Sequence, residues 1–172
     1  MTTLFTTTEV RSTVQLLASR SLIRLVTEID DNGAIPPRRS AATLPDLSTH
    51  QLRHATETAR ARGLVRTAPG TGLELTDAGS ELADLYDEVA RWSRRHASPS
   101  PVCEFSNRVR YVLDLLTLSL ATESAESCAR LSAACVPGVE AEEGLSRPYA
   151  LLLQWMAANP QVTALPESEP AA

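Results

Sequence analysis

His50, His54 and Glu57 stand four and three residues apart in the sequence. On a helix that spacing puts them on one face, an arrangement that could hold a divalent metal. Nothing nearby in the sequence supplies a closing ligand, so no metal is expected here. The three cysteines, Cys103, Cys128 and Cys135, are odd in number and contain no CxxC pair. They therefore indicate neither a disulfide framework nor a zinc knuckle. Cys128 and Cys135 would lie on one helix face roughly 10 Å apart, too far to bridge, and packing is their expected role. Cys103 has Glu104 beside it and no basic neighbour to lower its pKa, which argues against a sensing thiol. There is no GxSxG, P-loop, GxGxxG or HExxH. No nucleophile–base pair or metal-ligand set supports an enzyme, and no cofactor is expected.

The chemistry that this face suits better is base recognition. Arg53 can contact guanine with two hydrogen bonds, Gln51 can contact adenine, and His50 or His54 can reach a base acceptor or a phosphate. Ser48 and Thr49 open the same stretch. Upstream, Arg38, Arg39 and Ser40 would start a short helix, where guanidinium groups and backbone amides meet phosphate. Downstream, Arg66, Thr67 and Thr71 would belong to a hairpin reaching the flanking phosphates.

The elements that must position these groups are legible in the apolar spacing. Val10 to Ala18 and Leu22 to Asp30 read as amphipathic helices, the second closed by Gly33. Ile35-Pro36-Pro37 reads as a rigid extended connector. Arg38 to Leu44 can form two turns of helix. A helix capped by Ser48 or Thr49 runs to Arg62, with Leu52, Ala55, Thr56 and Ala59 inward, and stops at Gly63. Leu64 to Thr67 and Leu73 to Leu75 are short strands around a Gly-rich turn, which predicts a hairpin. Thr76 caps a long helix to His96, whose stripe is Leu82, Leu85, Tyr86, Val89 and Trp92. After a linker come helices over Ser106 to Leu120, Ser124 to Cys135 and Ser146 to Ala158. The first of these carries a second apolar stripe, Tyr111, Leu115 and Leu118, and must be covered on two sides.

The predicted architecture is mainly α. It is a winged helix-turn-helix (a three-helix core plus a two-stranded β-wing) followed by a long helix and a C-terminal helical extension. The expected division is a DNA-binding domain over 1–96, a linker at 97–101, a helical dimerisation region over 102–160 and a flexible tail over 161–172. The second core helix would brace the third, leaving one face of the third free to enter a major groove.

Charge sharpens this reading once it is counted locally. The 172 residues carry a formal net charge of −5, which taken alone argues against nucleic acid. All 16 basic residues are Arg. From Pro36 to Arg66, however, six arginines face only Asp46 and Glu57. Positive charge thus gathers on the segment expected to meet phosphate. No apolar run is long enough to span a bilayer, and Met1 to Thr8 lacks the features of a signal peptide, so a cytoplasmic protein with no membrane contact is expected.

The stretch Arg60-Ala61-Arg62-Gly63-Leu64-Val65-Arg66, followed by Leu73-Glu74-Leu75-Thr76-Asp77-Ala78-Gly79-Ser80-Glu81-Leu82, resembles the end of the recognition helix, the wing and the next helix start of MarR/HxlR-type bacterial transcription regulators. Val89-Ala90-Arg91-Trp92-Ser93 is similar to the end of the dimerisation helix in the HxlR branch. The resemblance covers roughly residues 10–96. It departs at Ser21-Leu22, where HxlR-type proteins usually carry a Trp, and the chain continues well past their usual end. It implies a homodimeric regulator of transcription, read as a repressor, binding double-stranded DNA.

Six of the seven aromatic residues lie late: Tyr86, Trp92, Phe105, Tyr111, Tyr149 and Trp155. Core or subunit interface is the common use of such residues, and a pocket for a small-molecule effector in the C-terminal layer is a further expectation. The alternative from another class is a winged-helix protein–protein interaction module without sequence-specific DNA binding, which the acidic total charge would suit.

Overall fold

The computed structural model describes residues 5–36, 39–96, 104–122 and 139–163. These residues are mainly helical, with a two-stranded antiparallel sheet. Helix α1 is Thr7–Leu17 and α2 is Arg20–Asn32. α1 starts three residues before Val10 because Thr6 and Glu9 form a capping box, which satisfies amides that the first turn leaves open. The bonds from the Thr6 amide and hydroxyl hold the Glu9 carboxyl below the usual carboxylate range. Val10, Val14 and Leu17 from α1 and Leu22, Ile23, Leu25, Val26 and Ile29 from α2 are buried. α2 closes on Gly33, whose φ is +81°.

Next come the single turn α3 (Ser40–Thr43), α4 (Thr49–Ala61), strand β1 (Val65–Ala68) and strand β2 (Gly72–Leu75). The expected two-turn helix over Arg38 to Leu44 is thus one turn, whose carbonyls and amides lack a second turn to propagate into. The extended connector also does more than expected. Ile35 exchanges two 2.9 Å backbone hydrogen bonds with Leu73, adding a third pairing at the edge of the hairpin. The approach is close enough that a Cβ on Gly72 would sit 2.1 Å from the Ile35 carbonyl oxygen. β1 and β2 pair in the register Val65 with Leu75 and Arg66 with Glu74.

Helix α5 (Asp77–His96) lies at the centre, against α2, α6 (Phe105–Thr122) and α7 (Val139–Ala158). Its predicted stripe, Leu82 to Trp92, is buried throughout. Thr76 ties its start to the end of α4. The Thr76 hydroxyl donates to the Gly63 carbonyl at 2.6 Å and accepts from the Gly79 amide at 3.2 Å. Gly79 packs so tightly on the residue before β1 that a Cβ there would lie 2.1 Å from the Leu64 oxygen.

Two C-terminal boundaries differ from expectation. α7 begins at Val139 rather than Ser146 and carries Pro148 inside it; a proline there costs one bond to the fourth residue back, Gly144, which is why the sequence reads as a later start. Pro160–Thr163 forms the turn α8, and Val162 is buried, so this part of the expected tail is packed. The expected helix over Ser124 to Cys135 and the linker at 97–101 lie outside the described residues, as do all three cysteines. Helix α6 buries Val109, Val112, Leu113, Leu116 and Leu120, but its second stripe is covered only in part: Leu115 is half-buried against the core, while Tyr111 is 37% and Leu118 43% exposed. Among the described residues no helix is long and apolar enough to cross a membrane.

Candidate nucleic-acid interface

α4 is held by its apolar side. Leu52, Ala55 and Ala59 are buried and Thr56 is half-buried, while Thr49, His50, Arg53, His54 and Glu57 are exposed. The outward row thus presents two imidazoles and a guanidinium on adjacent turns. Arg53 and Glu57 approach to 3.8 Å, with both side chains about two-thirds exposed or more (70% and 67%), so water screens the pair strongly.

The start of α4 gives two of the expected contact residues a local role. Ser48 and Gln51 form a capping box: the Ser48 hydroxyl accepts from the Gln51 amide at 3.2 Å, and the Gln51 side-chain oxygen accepts from the Ser48 amide at 2.9 Å. Two-bond recognition of adenine needs that same oxygen as acceptor. Gln51 and Ser48 therefore act in the cap, and the outward row rests on His50, Arg53 and His54.

A charged clamp fixes the turn before α4. Arg24 donates to both carboxylate oxygens of Asp46 at 3.0 and 3.2 Å. Arg20 reaches Asp46 at 3.3 Å and Glu104, just before α6, at 3.0 Å. Hydrogen bonding from Arg24 holds the Asp46 carboxyl below its ordinary range and raises the Arg24 guanidinium in turn. The sequence reading missed this clamp because its members lie 22 to 84 residues apart.

The hairpin is joined to the far end of α4. Arg60 donates to the Thr67 hydroxyl at 2.8 Å, so Thr67 is partly spent on holding helix and hairpin together. The sequence reading gives Arg60 no bracing role, and nothing local marks it as a brace. On the hairpin's flank the Arg66 guanidinium meets Glu74 at 2.6 Å, with the arginine 69% exposed. Glu74 falls outside the segment over which the arginines were counted, so the local positive surplus is smaller in space than along the chain. Thr71 is exposed at the turn, Arg39 is exposed beside α3, and Ser40 is half-buried as its first residue. Arg38 lies outside the described residues. Arg62 is half-buried and turns away from the outward row, donating to the Val162 carbonyl of α8 at 2.6 Å.

His50, His54 and Glu57 do not converge: among the described residues no three His, Cys, Asp or Glu side chains are placed to hold a metal.

The late aromatics do not form one pocket. Tyr86 is fully buried, donates its hydroxyl to the Leu17 carbonyl at 2.8 Å, and has its pKa pushed up by burial. Trp155 is buried and donates to the Ala78 carbonyl at 3.2 Å. Trp92 is buried and its ring stacks on His96 at 4.8 Å. Phe105 and Tyr149 are partly buried against the core, and Tyr111 is exposed. Of the six, Trp155 lines a cleft of about 290 Å³ between α5 and α7, whose rim carries Glu81, Asp84 and Glu88. Trp92 lines a hollow of about 20 Å³ that shares Glu88 and Leu151 with that cleft, and Tyr86, Phe105, Tyr111 and Tyr149 are core or surface groups away from it.

Comparison with protein-family models, curated proteins and solved structures finds no match for this chain.

Proposed function

We propose that the chain is a winged helix-turn-helix regulator of transcription, acting in the cytoplasm, with α4 entering the major groove of double-stranded DNA and the β1–β2 hairpin lying on the flanking phosphates. The observation that carries this reading is the capped helix α4, seated by Leu52, Ala55 and Ala59 and turning His50, Arg53 and His54 to solvent beside a hairpin braced to it by Arg60. A helix of this width fits a major groove, and an arginine on its outer face suits guanine. The resemblance of residues 10–96 to MarR/HxlR-type regulators supports the same reading.

Homodimerisation belongs to the proposal in altered form. The stripe of α5 is consumed within the chain, whereas Tyr111 and Leu118 on α6 are exposed. Two copies meeting through α6 would present two α4 helices to a pseudo-palindromic site. Sedimentation of the Leu118→Glu variant as a monomer is the expected result.

Fluorescence anisotropy on the DNA upstream of its own gene tests the DNA reading. Arg53→Ala should cost about 1–3 kcal/mol on the preferred sequence and blur discrimination there, and Arg66→Ala should weaken all sequences alike. The protein–protein module is the second reading, favoured by the pairing of Arg66 with Glu74 and of Arg53 with Glu57. It prevails if binding is absent at low salt and neither substitution matters.

A further inference from the structure

Away from the outward row of α4, helices α5 and α7 bound a groove whose character changes along its length. Its larger part is the cleft of about 290 Å³, walled by the apolar Leu85, Leu151 and Trp155. Beside it, sharing Glu88 and Leu151, lies the hollow of about 20 Å³ that Trp92 lines. That smaller space holds about one water-sized group. The cleft reaches Asp84 and the hollow reaches Trp92, further along α5, a separation of roughly 12 Å at 1.5 Å per residue.

The two ends differ through the groups that stand at them. At the cleft end are the carboxylates of Glu81 and Asp84, both exposed. Glu81 accepts from the Asn159 side-chain amide at 2.9 Å, a neutral partner that fixes the carboxylate and leaves its charge in place. The same negative field reaches α2, where burial, then Asp31, Asp84 and Asp87, push the Asp30 carboxyl above its ordinary range. This end favours a cation. At the hollow end the charges are mixed. Glu88 meets Arg91 at 2.6 Å and Arg147 at 3.8 Å, and Arg95 lines the same wall, so neither a carboxylate nor a second ammonium gains there. The distinctive group is the Trp92 indole N–H, on a side chain only 6% exposed, which is buried and has no hydrogen-bond partner among the described residues. Such a donor favours an oxygen acceptor. A secondary amide supplies that oxygen, and its own N–H can face Glu88 at the same time.

We propose that the α5–α7 groove binds a linear mono-acylated diamine, with its ammonium between Glu81 and Asp84, its methylene chain over Leu85, Leu151 and Trp155, and its amide oxygen accepting from Trp92. The site is separate from the DNA-binding reading and stands or falls without it.

The test titrates the ¹⁵N-labelled full chain with N-acetyl-1,8-diaminooctane. The sequence has two tryptophans, so Trp92 and Trp155 give one indole N–H resonance each. The Trp92 signal should move downfield saturably as its N–H gains an acceptor. The Trp155 signal should move less, because that N–H already donates to the Ala78 carbonyl. N-octylacetamide, which lacks the ammonium, should bind at least about fivefold more weakly. Octylamine, which lacks the amide, should leave the Trp92 signal in place, and 1,8-diaminooctane should bind more weakly because its second ammonium meets Arg95 and Arg147. Asp84→Asn, at an exposed position, should weaken the acylated diamine about threefold and leave N-octylacetamide unchanged. Ala158→Phe, exposed on the cleft wall, fills the cleft and should abolish binding. No saturable shift, equal binding of N-octylacetamide, an Asp84→Asn variant that binds as well as the natural chain, or binding that leaves the Trp92 resonance unmoved, as when a water keeps the hollow, would overturn the site.

Discussion

Replacing Glu74 by Gln should make the protein bind DNA more tightly. Arg66 and Glu74 face each other across the hairpin at 2.6 Å, with the arginine 69% and the glutamate 26% exposed. A pair this accessible to water is worth about 0.2–1 kcal/mol. Arg66 has to surrender that energy to swing onto a phosphate. Glu74→Gln removes the competitor, and at 1.4 kcal/mol per factor of ten the gain in affinity is about 1.5- to 5-fold. If the released guanidinium makes one more phosphate contact, the slope of log affinity against log salt steepens by about 0.9, or about 3.5-fold between 50 and 200 mM salt. The assay is fluorescence anisotropy with two labelled duplexes, one from upstream of the gene and one unrelated, over a salt series. Both duplexes should gain equally, because a phosphate contact carries no sequence information. The folded state loses at most the same ~1 kcal/mol, which urea unfolding would verify. An affinity that stays level or falls, or a gain on one duplex alone, refutes the assignment of Arg66 to the DNA backbone.

Tyr86→Phe should lower the urea midpoint by an amount equivalent to about 1–3 kcal/mol, because the Leu17 carbonyl at the end of α1 loses its 2.8 Å donor while remaining buried; an unchanged midpoint would contradict this. Gly79→Ala should cost about 1–3 kcal/mol or more, since its Cβ would meet the Leu64 oxygen at 2.1 Å and α5 would have to move off the Leu64 backbone; thermal melts provide the measurement. Asp46 carries a pH dependence of definite sign. Arg24 depresses its folded pKa, so the stability it contributes is complete above the ordinary carboxylate range and fades as pH falls through the depressed value. Asp46→Asn should therefore be less stable than the natural chain at neutral pH, by up to about 1 kcal/mol, and indistinguishable from it in strong acid; a gap that persists in acid would count against the clamp.

Local chemistry wrote much of the fold into the sequence. Helices α1, α2, α4 and α5 follow from apolar residues at three- and four-residue spacing, from caps at Ser48 and Thr76, and from Gly33 and Gly63 where the chain turns. The hairpin followed from two short apolar runs around Pro69 to Gly72. Boundaries failed where a distant contact overrides a local signal. The last long helix reads from Ser146 in the sequence but begins at Val139 with Pro148 inside it, and the expected loose tail from 161 starts within a turn whose Val162 is buried. Ile35 read as a connector because its pairing partner, Leu73, lies far along the chain.

The candidate site divides the same way. The sequence alone determined which side of α4 faces outward, because helical periodicity assigns Leu52, Ala55 and Ala59 to one side and His50, Arg53 and His54 to the other. Tertiary structure decided which of those polar groups are available. It set Glu74 against Arg66 and turned Arg62 toward α8, whereas the Ser48–Gln51 cap is local, three residues apart. Periodicity is a property of neighbouring residues, whereas the pairing of a charge or the hollow between two helices depends on which distant residues the chain brings together.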